Sequence, residues 1–156
     1  MIAILKYNAG NTQSVENAVN RLGYNCVVTD DAALLRSADK VIFPGVGQAS
    51  SAMDYLRDKG LDIVIQSLTR PVLGICLGLQ LMCRSSEEGA TQGLGIFDVA
   101  VKKFPPVDKV PHMGWNTLNG IKSPLFTEIL NDDDVYFVHS YYAELSQYTV
   151  AQCDYI

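Results

Sequence analysis

The segment that decides the fold runs from Pro71 to Met82 and reads Pro-Val-Leu-Gly-Ile-Cys-Leu-Gly-Leu-Gln-Leu-Met. Its first residues predict a short buried strand, and its last residues predict the start of an apolar helix. Between them lies Gly-x-Cys-x-Gly, the pattern of a nucleophile elbow, in which a strained turn raises one side chain above the sheet edge. Cys76 is therefore a candidate nucleophile, and Gly74 and Gly78 are expected because side chains there would collide with the neighbouring strand or helix.

Cys76 also has an ordinary interpretation, as a buried cysteine at a strand–helix junction. Cysteine is among the most buried residue types, and a five-residue pattern alone is weak evidence. In the catalytic interpretation, the free N–H groups of the following helix favour the thiolate form of Cys76.

Composition limits the classes of function that remain. The chain has 156 residues, is 48% hydrophobic and 19% charged, and is expected to form one globular domain over residues 1–156. A net charge of −5, with Lys102-Lys103 as the only adjacent basic pair, argues against nucleic acid as a partner. No apolar run approaches the roughly 20 residues that cross a bilayer, so no membrane association is expected.

Cysteine usage points to a reducing compartment. The four cysteines show no Cys-x-x-Cys spacing and no nearby histidine cluster, so a zinc site is not expected. No other metal or cofactor is expected either. The first residues, Met1 to Leu5, resemble a strand rather than a signal peptide. Reduced thiols and a cytoplasmic location follow as expectations.

The first half of the chain alternates between strand and helix patterns. Strands are predicted near residues 2–7, 24–29 and 40–43, and amphipathic helices lie between and after them. Asn11 or Thr12 and the pair Asp30-Asp31 are candidate helix caps. This alternation predicts an α/β fold with a doubly wound, mostly parallel sheet and helices on both faces, whose ligand edge lies at the strand carboxyl ends.

The second half predicts an added region of strands. A polar loop is expected at residues 87–95, a strand at 96–104, a loop carrying the only tryptophan at 110–116, and strands at 135–142 and 148–155. A short helix is expected to start at Ser123-Pro124 and to end near Leu130, followed by a turn at residues 132–134.

Four motifs in this order resemble the class I, triad-type glutamine amidotransferases, which have a flavodoxin-like sheet. More narrowly, the third motif resembles the glutaminase subunits of imidazole glycerol phosphate synthase, and the likeness spans nearly the whole chain. The motifs are Pro44-Gly45-Val46-Gly47, Gly74-Ile75-Cys76-Leu77-Gly78-Leu79-Gln80, Val110-Pro111-His112-Met113-Gly114-Trp115-Asn116 and Tyr136-Phe137-Val138-His139-Ser140-Tyr141.

The resemblance implies hydrolysis of glutamine to glutamate and ammonia. The ammonia would pass to a (β/α)₈-barrel cyclase subunit that makes imidazole glycerol phosphate in histidine biosynthesis. Cys76 would attack the side-chain amide carbon and form a thioester. The amide of Leu77 is one expected oxyanion donor, and Val46 or Gly47 is the other.

Further residues are assigned to the glutamine pocket and to the partner interface. The resemblance places Gly45, Gln80 and residues His139, Ser140 and Tyr141 in the pocket, and assigns Trp115 and, more weakly, Asn11 to the cyclase contact. Other interpretations stay open: Gln80 as a solvated helix residue, His139 as a satisfied core histidine, and Met113 and Trp115 as core packing.

The expected base for the thiol is missing from the sequence. In the family it is a histidine followed two residues later by a glutamate, whereas His112 precedes Gly114 and His139 precedes Tyr141 at that spacing. We therefore expect a chain that lacks the C-terminal segment of the family, with little ammonia release. We also expect bare apolar surface on the last strands, which would favour self-association.

Three rival interpretations remain at this point. One is the glutaminase domain of another biosynthetic amidotransferase, and another is a cysteine hydrolase or chaperone on a similar fold. The third is a catalytically inactive module that still docks on the cyclase, which the missing base would favour.

Overall fold

The computed structural model describes residues 1–128 and 133–156. Strand and helix alternate in the first half, and strands dominate the second half. In chain order the elements are β1 (Ile2–Leu5), α1 (Thr12–Arg21), β2 (Cys26–Thr29), α2 (Ala32–Ser37), β3 (Lys40–Phe43), α3 (Ala49–Asp58), α4 (Leu61–Gln66), β4 (Val72–Gly74), α5 (Leu77–Met82), β5 (Cys83–Ser86), a 3₁₀ helix (Glu88–Ala90), β6 (Thr91–Gln92), β7 (Phe97–Lys103), β8 (His112–Thr117), a second 3₁₀ helix (Pro124–Phe126), β9 (Asp134–His139) and β10 (Tyr141–Ala143).

The first four strands form a parallel sheet in the order β2-β1-β3-β4. On one face, Ala3, Leu5 and Phe43 belong to a buried core shared with residues of α2 to α5. Side chains alternate along a strand, so the buried Ile4 lies on the opposite face, where α1 contacts β1 and β2. The predicted α/β sheet, mostly parallel with helices on both faces, is confirmed.

Side-chain caps fix the starts of the first two helices. The Oδ1 atom of Asn11 accepts a hydrogen bond from the Ser14 N–H at 3.1 Å, and Asn11 is therefore the cap of α1. Asp31 Oδ1 accepts from the N–H groups of Ala33 and Leu34 in α2, at 2.8 and 2.9 Å. Both predicted helix starts are confirmed.

A second, mixed sheet begins where α5 ends. The chain passes directly from α5 into β5, which pairs parallel with β7 and antiparallel with β6, and β10 completes the order β10-β7-β5-β6. The strand predicted at 96–104 is confirmed as β7. Inside the loop predicted at 87–95, the structure forms the short 3₁₀ helix at Glu88–Ala90 and β6.

The third sheet corrects two sequence predictions. Residues predicted as a loop at 110–116 form most of β8, because β9 supplies a full antiparallel partner in which Trp115 faces Tyr136. The single strand predicted at 135–142 is divided at Ser140, because β9 pairs with β8 whereas β10 pairs with β7.

The C-terminal strand predicted at 148–155 is also wrong. Within the described residues, this segment forms only an isolated bridge between Asn119 and Gln152, because no neighbouring strand continues the ladder. The helix predicted from Ser123 is a single 3₁₀ turn, capped by the Ser123 hydroxyl at 3.2 Å from the Leu125 nitrogen. Its predicted end near Leu130, and residue 132 of the predicted turn, lie outside the described residues.

Several large apolar side chains are exposed, and two groups of them bear on the predictions. Tyr136 and Val138 are exposed on β9, which confirms the bare apolar surface predicted for the last strands, while Ile75 and Leu79 are exposed around the elbow. Self-association through these surfaces stays a prediction. Along residues 1–128 and 133–156, helices long and apolar enough to span a membrane are absent.

Candidate active site

Cys76 lies in the turn that joins β4 to α5 and has a strained backbone. Its φ of 53° and ψ of −114° fall in a region that residues with a side chain rarely adopt. Such strain persists only where the surrounding structure enforces it, and it is concentrated at functional sites. The residue is exposed. The predicted elbow turn is therefore confirmed, and the catalytic role of Cys76 stays a prediction.

The two elbow glycines are required by close backbone contacts. A methyl group on Gly78 would lie 1.9 Å from the carbonyl oxygen of Phe43, and one on Gly74 would lie 2.8 Å from the Leu79 backbone. Both distances are shorter than atoms tolerate without a shift of the backbone. The neighbouring strand end and helix therefore exclude side chains at 74 and 78, as the sequence predicts.

The loop at residues 44–47 lies directly against the start of α5. A methyl group on Gly45 would be 2.5 Å from the Gly78 nitrogen and 2.6 Å from the Leu77 side chain. The Val46 carbonyl oxygen, in the same loop, accepts from the Gly10 N–H at 3.1 Å. The fold thus brings the predicted oxyanion loop and the elbow together.

The N–H group of Leu77 already has partners. It donates to the Gly45 carbonyl oxygen at 3.4 Å, and it also stabilises the Cys76 thiolate. At 3.4 Å the first bond is longer than the usual range, which makes it weak and easily exchanged. The Leu77 N–H therefore lies next to Cys76 with the Gly45 carbonyl as its present acceptor, and its role toward an oxyanion stays a prediction.

Three effects act on the Cys76 thiol. Although the residue reaches the surface, the protein atoms packed around its sulfur partly desolvate it, and this raises its pKa most; the Leu77 N–H lowers the pKa, and the negative charge of Glu88 raises it further. The net pKa is raised, whereas the sequence predicts that the helix N-terminus favours the thiolate. The amide contribution is present as expected, but desolvation of the sulfur outweighs it.

Sequence reasoning missed Glu88. It begins the 3₁₀ helix after β5, where its Oε2 atom accepts from the Ala49 N–H at the start of α3 at 2.9 Å. The same carboxylate is close enough to Cys76 to affect its pKa. Because Glu88 follows Glu87 in a polar segment, nothing in the local sequence distinguishes it from a solvated charge.

Gln80 lies one turn beyond the elbow, as predicted. Its backbone N–H donates to the Cys76 carbonyl oxygen at 3.1 Å, and the residue is half-buried on α5. The structure thus places Gln80 beside the candidate nucleophile, and its role toward glutamine stays a prediction.

His139 lies at the end of β9 in a chain of hydrogen bonds. Its Nδ1 lies 2.8 Å from the carbonyl oxygen of Tyr141, which can only accept, so Nδ1 carries the proton. Its Nε2 then accepts from His112 Nδ1 at 3.1 Å, and His112 Nε2 lies 3.4 Å from the Asn116 amide. Both rings are satisfied in the neutral form, which favours the structural interpretation of His139.

Ser140 separates β9 from β10, and pocket roles for Ser140 and Tyr141 stay predictions.

The residues assigned to a partner interface differ in their contacts within the chain. Trp115 is 70% exposed and contacts the Tyr136 ring edge-on at 5.5 Å, so core packing is wrong for this side chain. Met113 and Val138 are exposed on the same face of β8 and β9 as Trp115 and Tyr136, because the two facing pairs are separated by one intervening pair, Gly114 and Phe137. Asn11 is exposed and caps α1, which is a structural role that leaves its interface role a prediction.

Metal-binding clusters are absent from the part of the chain that the structure describes. There, histidine, cysteine and carboxylate side chains do not form groups of three that could hold a metal ion. The chemistry that the arrangement offers is nucleophilic attack by an exposed thiol beside backbone N–H groups.

Comparisons with known proteins point to the family that the sequence motifs resemble. The family described as glutamine amidotransferase class-I matches residues 3–153. The chain is 56% identical to the imidazole glycerol phosphate synthase subunit HisH of Bacteroides fragilis, with 99% of this chain and 81% of the relative covered. It is 49% identical to the HisH subunit of Pasteurella multocida, with 99% and 79% covered.

A solved structure supports the fold independently. A crystal structure described as a glutamine amidotransferase superposes with a TM-score of 0.75 at 16% identity and covers 97% of this chain and 79% of that chain. Together with the identities to the HisH subunits, this shows the family. The chain belongs to the class-I glutamine amidotransferases and, within them, to the HisH subunits of imidazole glycerol phosphate synthase.

Proposed function

We propose that this chain provides the glutaminase function of an imidazole glycerol phosphate synthase. Given a base for the Cys76 thiol, it would bind glutamine, form a thioester on Cys76 and release ammonia to a (β/α)₈-barrel cyclase subunit in histidine biosynthesis; without that base we expect slow turnover. The observation that carries the proposal is the strained, exposed Cys76 at an elbow whose flanking glycines are sterically required. The HisH relatives support the choice of pathway.

The reaction begins with attack of the Cys76 sulfur on the side-chain amide carbon of glutamine. The carbonyl oxygen becomes an oxyanion, which the N–H groups of Leu77 and of Val46 or Gly47 would stabilise. Collapse of this intermediate after protonation of the nitrogen expels ammonia and leaves a glutamyl thioester. Water then attacks the thioester, which releases glutamate and restores the thiol.

The oxyanion step requires a rearrangement at the loop. The Gly45 carbonyl oxygen lies 3.4 Å from the Leu77 nitrogen, where a substrate oxyanion would need the same N–H. We infer that the Gly45–Val46 peptide turns away before the chemistry occurs. Glycine at positions 45 and 47 gives this segment the backbone freedom that such a turn needs.

Glutamine would be held between α5, the loop and the second sheet. Gly45, Gln80, Ser140 and Tyr141 are our candidates for the pocket, with His139 holding Tyr141 through its Nδ1 hydrogen bond, and Glu88 joins them because its charge reaches Cys76. The carboxylate of Glu88 suits the ammonium group of the substrate. A bound ammonium would neutralise that charge and lower the pKa of Cys76, so substrate binding would itself activate the nucleophile.

The cyclase would dock on the exposed face of β8 and β9. Met113, Trp115, Tyr136 and Val138 form an apolar surface of the kind that anchors protein interfaces. The assembly would be a heterodimer in which this subunit acts as a hydrolase within an enzyme of lyase chemistry. The four free cysteines suit the cytoplasm.

Neither histidine of this chain is available as the base for Cys76. His112 and His139 bond to each other, to Asn116 and to Tyr141, and burial, with a smaller contribution from the charge of His139, lowers the pKa of His112. We therefore expect these 156 residues, mixed with the cyclase, to release little ammonia from glutamine in a coupled assay. Steady ammonia release at the rate of the Bacteroides fragilis synthase would contradict this expectation. So would any ammonia release that the single substitution His139→Gln abolishes, because His139 would then serve as the base.

Protection of Cys76 by the substrate tests the proposed function. Glutamine should slow iodoacetamide alkylation of Cys76 in a saturable way, measured by peptide mass spectrometry, because it occupies the pocket around the thiol. Asparagine, which is one methylene shorter, is the control and should protect weakly. Equal alkylation rates with and without saturating glutamine would contradict the proposal.

A further inference from the structure

We propose that Tyr7 is a positioning residue for this reaction, whose buried hydroxyl group fixes the oxyanion loop at residues 44–47 against the elbow. The inference rests on the proposed function and extends it to a residue outside the four motifs. Tyr7 would act through the loop and not on the substrate.

The contacts of Tyr7 tie it to the first residue of that loop. Tyr7 follows β1 and is only 8% exposed, and its hydroxyl group donates to the Pro44 carbonyl oxygen at 2.7 Å. Its ring packs edge-on against Phe43, the last residue of β3, at 5.4 Å between centroids. Both the ring and the hydroxyl group therefore engage the point where the strand becomes the loop.

The carbonyl group that Tyr7 holds lies at the contact between loop and elbow. A methyl group on Gly78 would come within 3.2 Å of the Pro44 oxygen, so this peptide lies against the start of α5. A change in the Pro44 peptide would therefore move the loop relative to Cys76 and Leu77. The Tyr7 hydrogen bond to the same oxygen opposes that change.

The segment at residues 7–10 holds the oxyanion loop on both sides of the Gly45 peptide, whose carbonyl makes the long hydrogen bond to Leu77. Tyr7 binds the carbonyl of Pro44, and the Gly10 N–H binds the carbonyl of Val46 at 3.1 Å. Between these two peptides, the one hydrogen bond that the described residues give the Gly45 carbonyl is the 3.4 Å contact with the Leu77 N–H. Any rotation that opens the oxyanion site is thereby confined to the Gly45–Val46 peptide, while the rest of the loop keeps its place.

The hydroxyl group of Tyr7 stays protonated at any pH of interest. Burial raises its pKa well above that of a free tyrosine, and the charge of Cys76 raises it further. The second effect requires the phenol to lie near the thiol. Tyr7 is therefore a constant hydrogen-bond donor close to the nucleophile.

The test compares two electrophiles on the full chain and its Tyr7→Phe variant. A chloromethyl ketone analogue of glutamine places its carbonyl oxygen at the oxyanion position, and its attack by Cys76 displaces chloride. Iodoacetamide alkylates the thiol without that requirement. Tyr7→Phe should slow Cys76 labelling by the ketone roughly threefold to tenfold, the effect of one lost neutral hydrogen bond, and leave the iodoacetamide rate unchanged. Tyr24→Phe, in an exposed residue, should change neither rate.

Each other outcome contradicts a specific claim. Equal ketone labelling of wild type and Tyr7→Phe overturns the role of Tyr7, and so does an equal loss of both rates, which would mean a general effect on the thiol or on folding. Wild-type protein that reacts with iodoacetamide but not with the ketone would instead overturn the proposed glutaminase function, and the role of Tyr7 with it.

Discussion

The reactivity of Cys76 depends on the balance among three of its neighbours. The protein packed around the sulfur and the carboxylate of Glu88 raise the pKa of the thiol, and the Leu77 N–H lowers it. Since burial contributes most, the resting thiol is mostly protonated at neutral pH. To react, the protonated Cys76 thiol needs either a group that neutralises the charge of Glu88 or a base that removes the thiol proton.

Removing the charge of Glu88 tests this balance. Glu88→Gln keeps an oxygen that can accept from Ala49 but removes the negative charge that raises the pKa of Cys76. The pKa should fall, so at a fixed pH below it the thiolate fraction and the rate of iodoacetamide alkylation should rise. The pH dependence of that rate should shift to lower pH.

Glu87→Gln is the matched control, because the Glu87 side chain instead pairs with Lys102 at 3.2 Å. It should leave the alkylation rate of Cys76 unchanged. An identical pH profile for wild type and Glu88→Gln would refute the electrostatic role of Glu88.

A single methyl group at Gly78 should disrupt the elbow. It would lie 1.9 Å from the Phe43 carbonyl oxygen, a backbone atom that cannot move aside alone. Gly78→Ala should therefore lower the free energy of unfolding by about 3 kcal/mol or more. Gly23→Ala, whose methyl group meets nothing within 4 Å but which has a φ of 79°, should cost about 1 kcal/mol. Similar urea midpoints for the two variants would contradict the steric argument.

Among the elements, β8 and β9 combine two different faces. One face carries the bonded histidines and packs His112 against the rings of Phe137 and Tyr155, and the other exposes Trp115 and Tyr136. The alternation of side chains along a strand produces this division. The inward face stabilises the sheet, which leaves the outward face free for a partner.

Trp115 should contribute strongly to cyclase binding and little to folding. Trp115→Ala should raise the Kd for the cyclase subunit of the Bacteroides fragilis synthase about thirtyfold, on the order of 2 kcal/mol, as interface tryptophans do. Isothermal titration calorimetry measures the Kd, and thermal unfolding serves as the check on stability. Leu145→Ala is the control, because Leu145 is equally exposed but lies outside β8 and β9. Equal losses of affinity in both variants would exclude this face as the docking surface.

For the whole molecule, local patterns predicted those features that depend on neighbours in sequence. The strand–helix alternation, the caps Asn11 and Asp31 and the Gly-x-Cys-x-Gly turn were all predictable, because each is set by residues within a few positions. The resemblance then added the family. The steric need for glycine at 74 and 78 followed from the elbow pattern alone.

Features that depend on distant neighbours were not predictable. β8 forms because β9 pairs with it, although Pro111 and Gly114 favour a loop locally. Among the described residues, 148–155 meet 119–122 through an isolated bridge and one further backbone hydrogen bond, which do not extend into a ladder. Glu88 and Tyr7 reach the site from other elements and carry no motif. The raised pKa of Cys76 is likewise a consequence of tertiary burial.

The central claim is that Cys76 is the nucleophile of a glutamine site. The most direct measurement is mass spectrometry of the chain after treatment with a diazoketone analogue of glutamine. We predict one label per chain, on Cys76 alone, slowed by glutamine and absent from Cys76→Ser. Labelling spread over Cys26, Cys83 and Cys153, or unchanged labelling of the Cys76→Ser variant, would contradict the account.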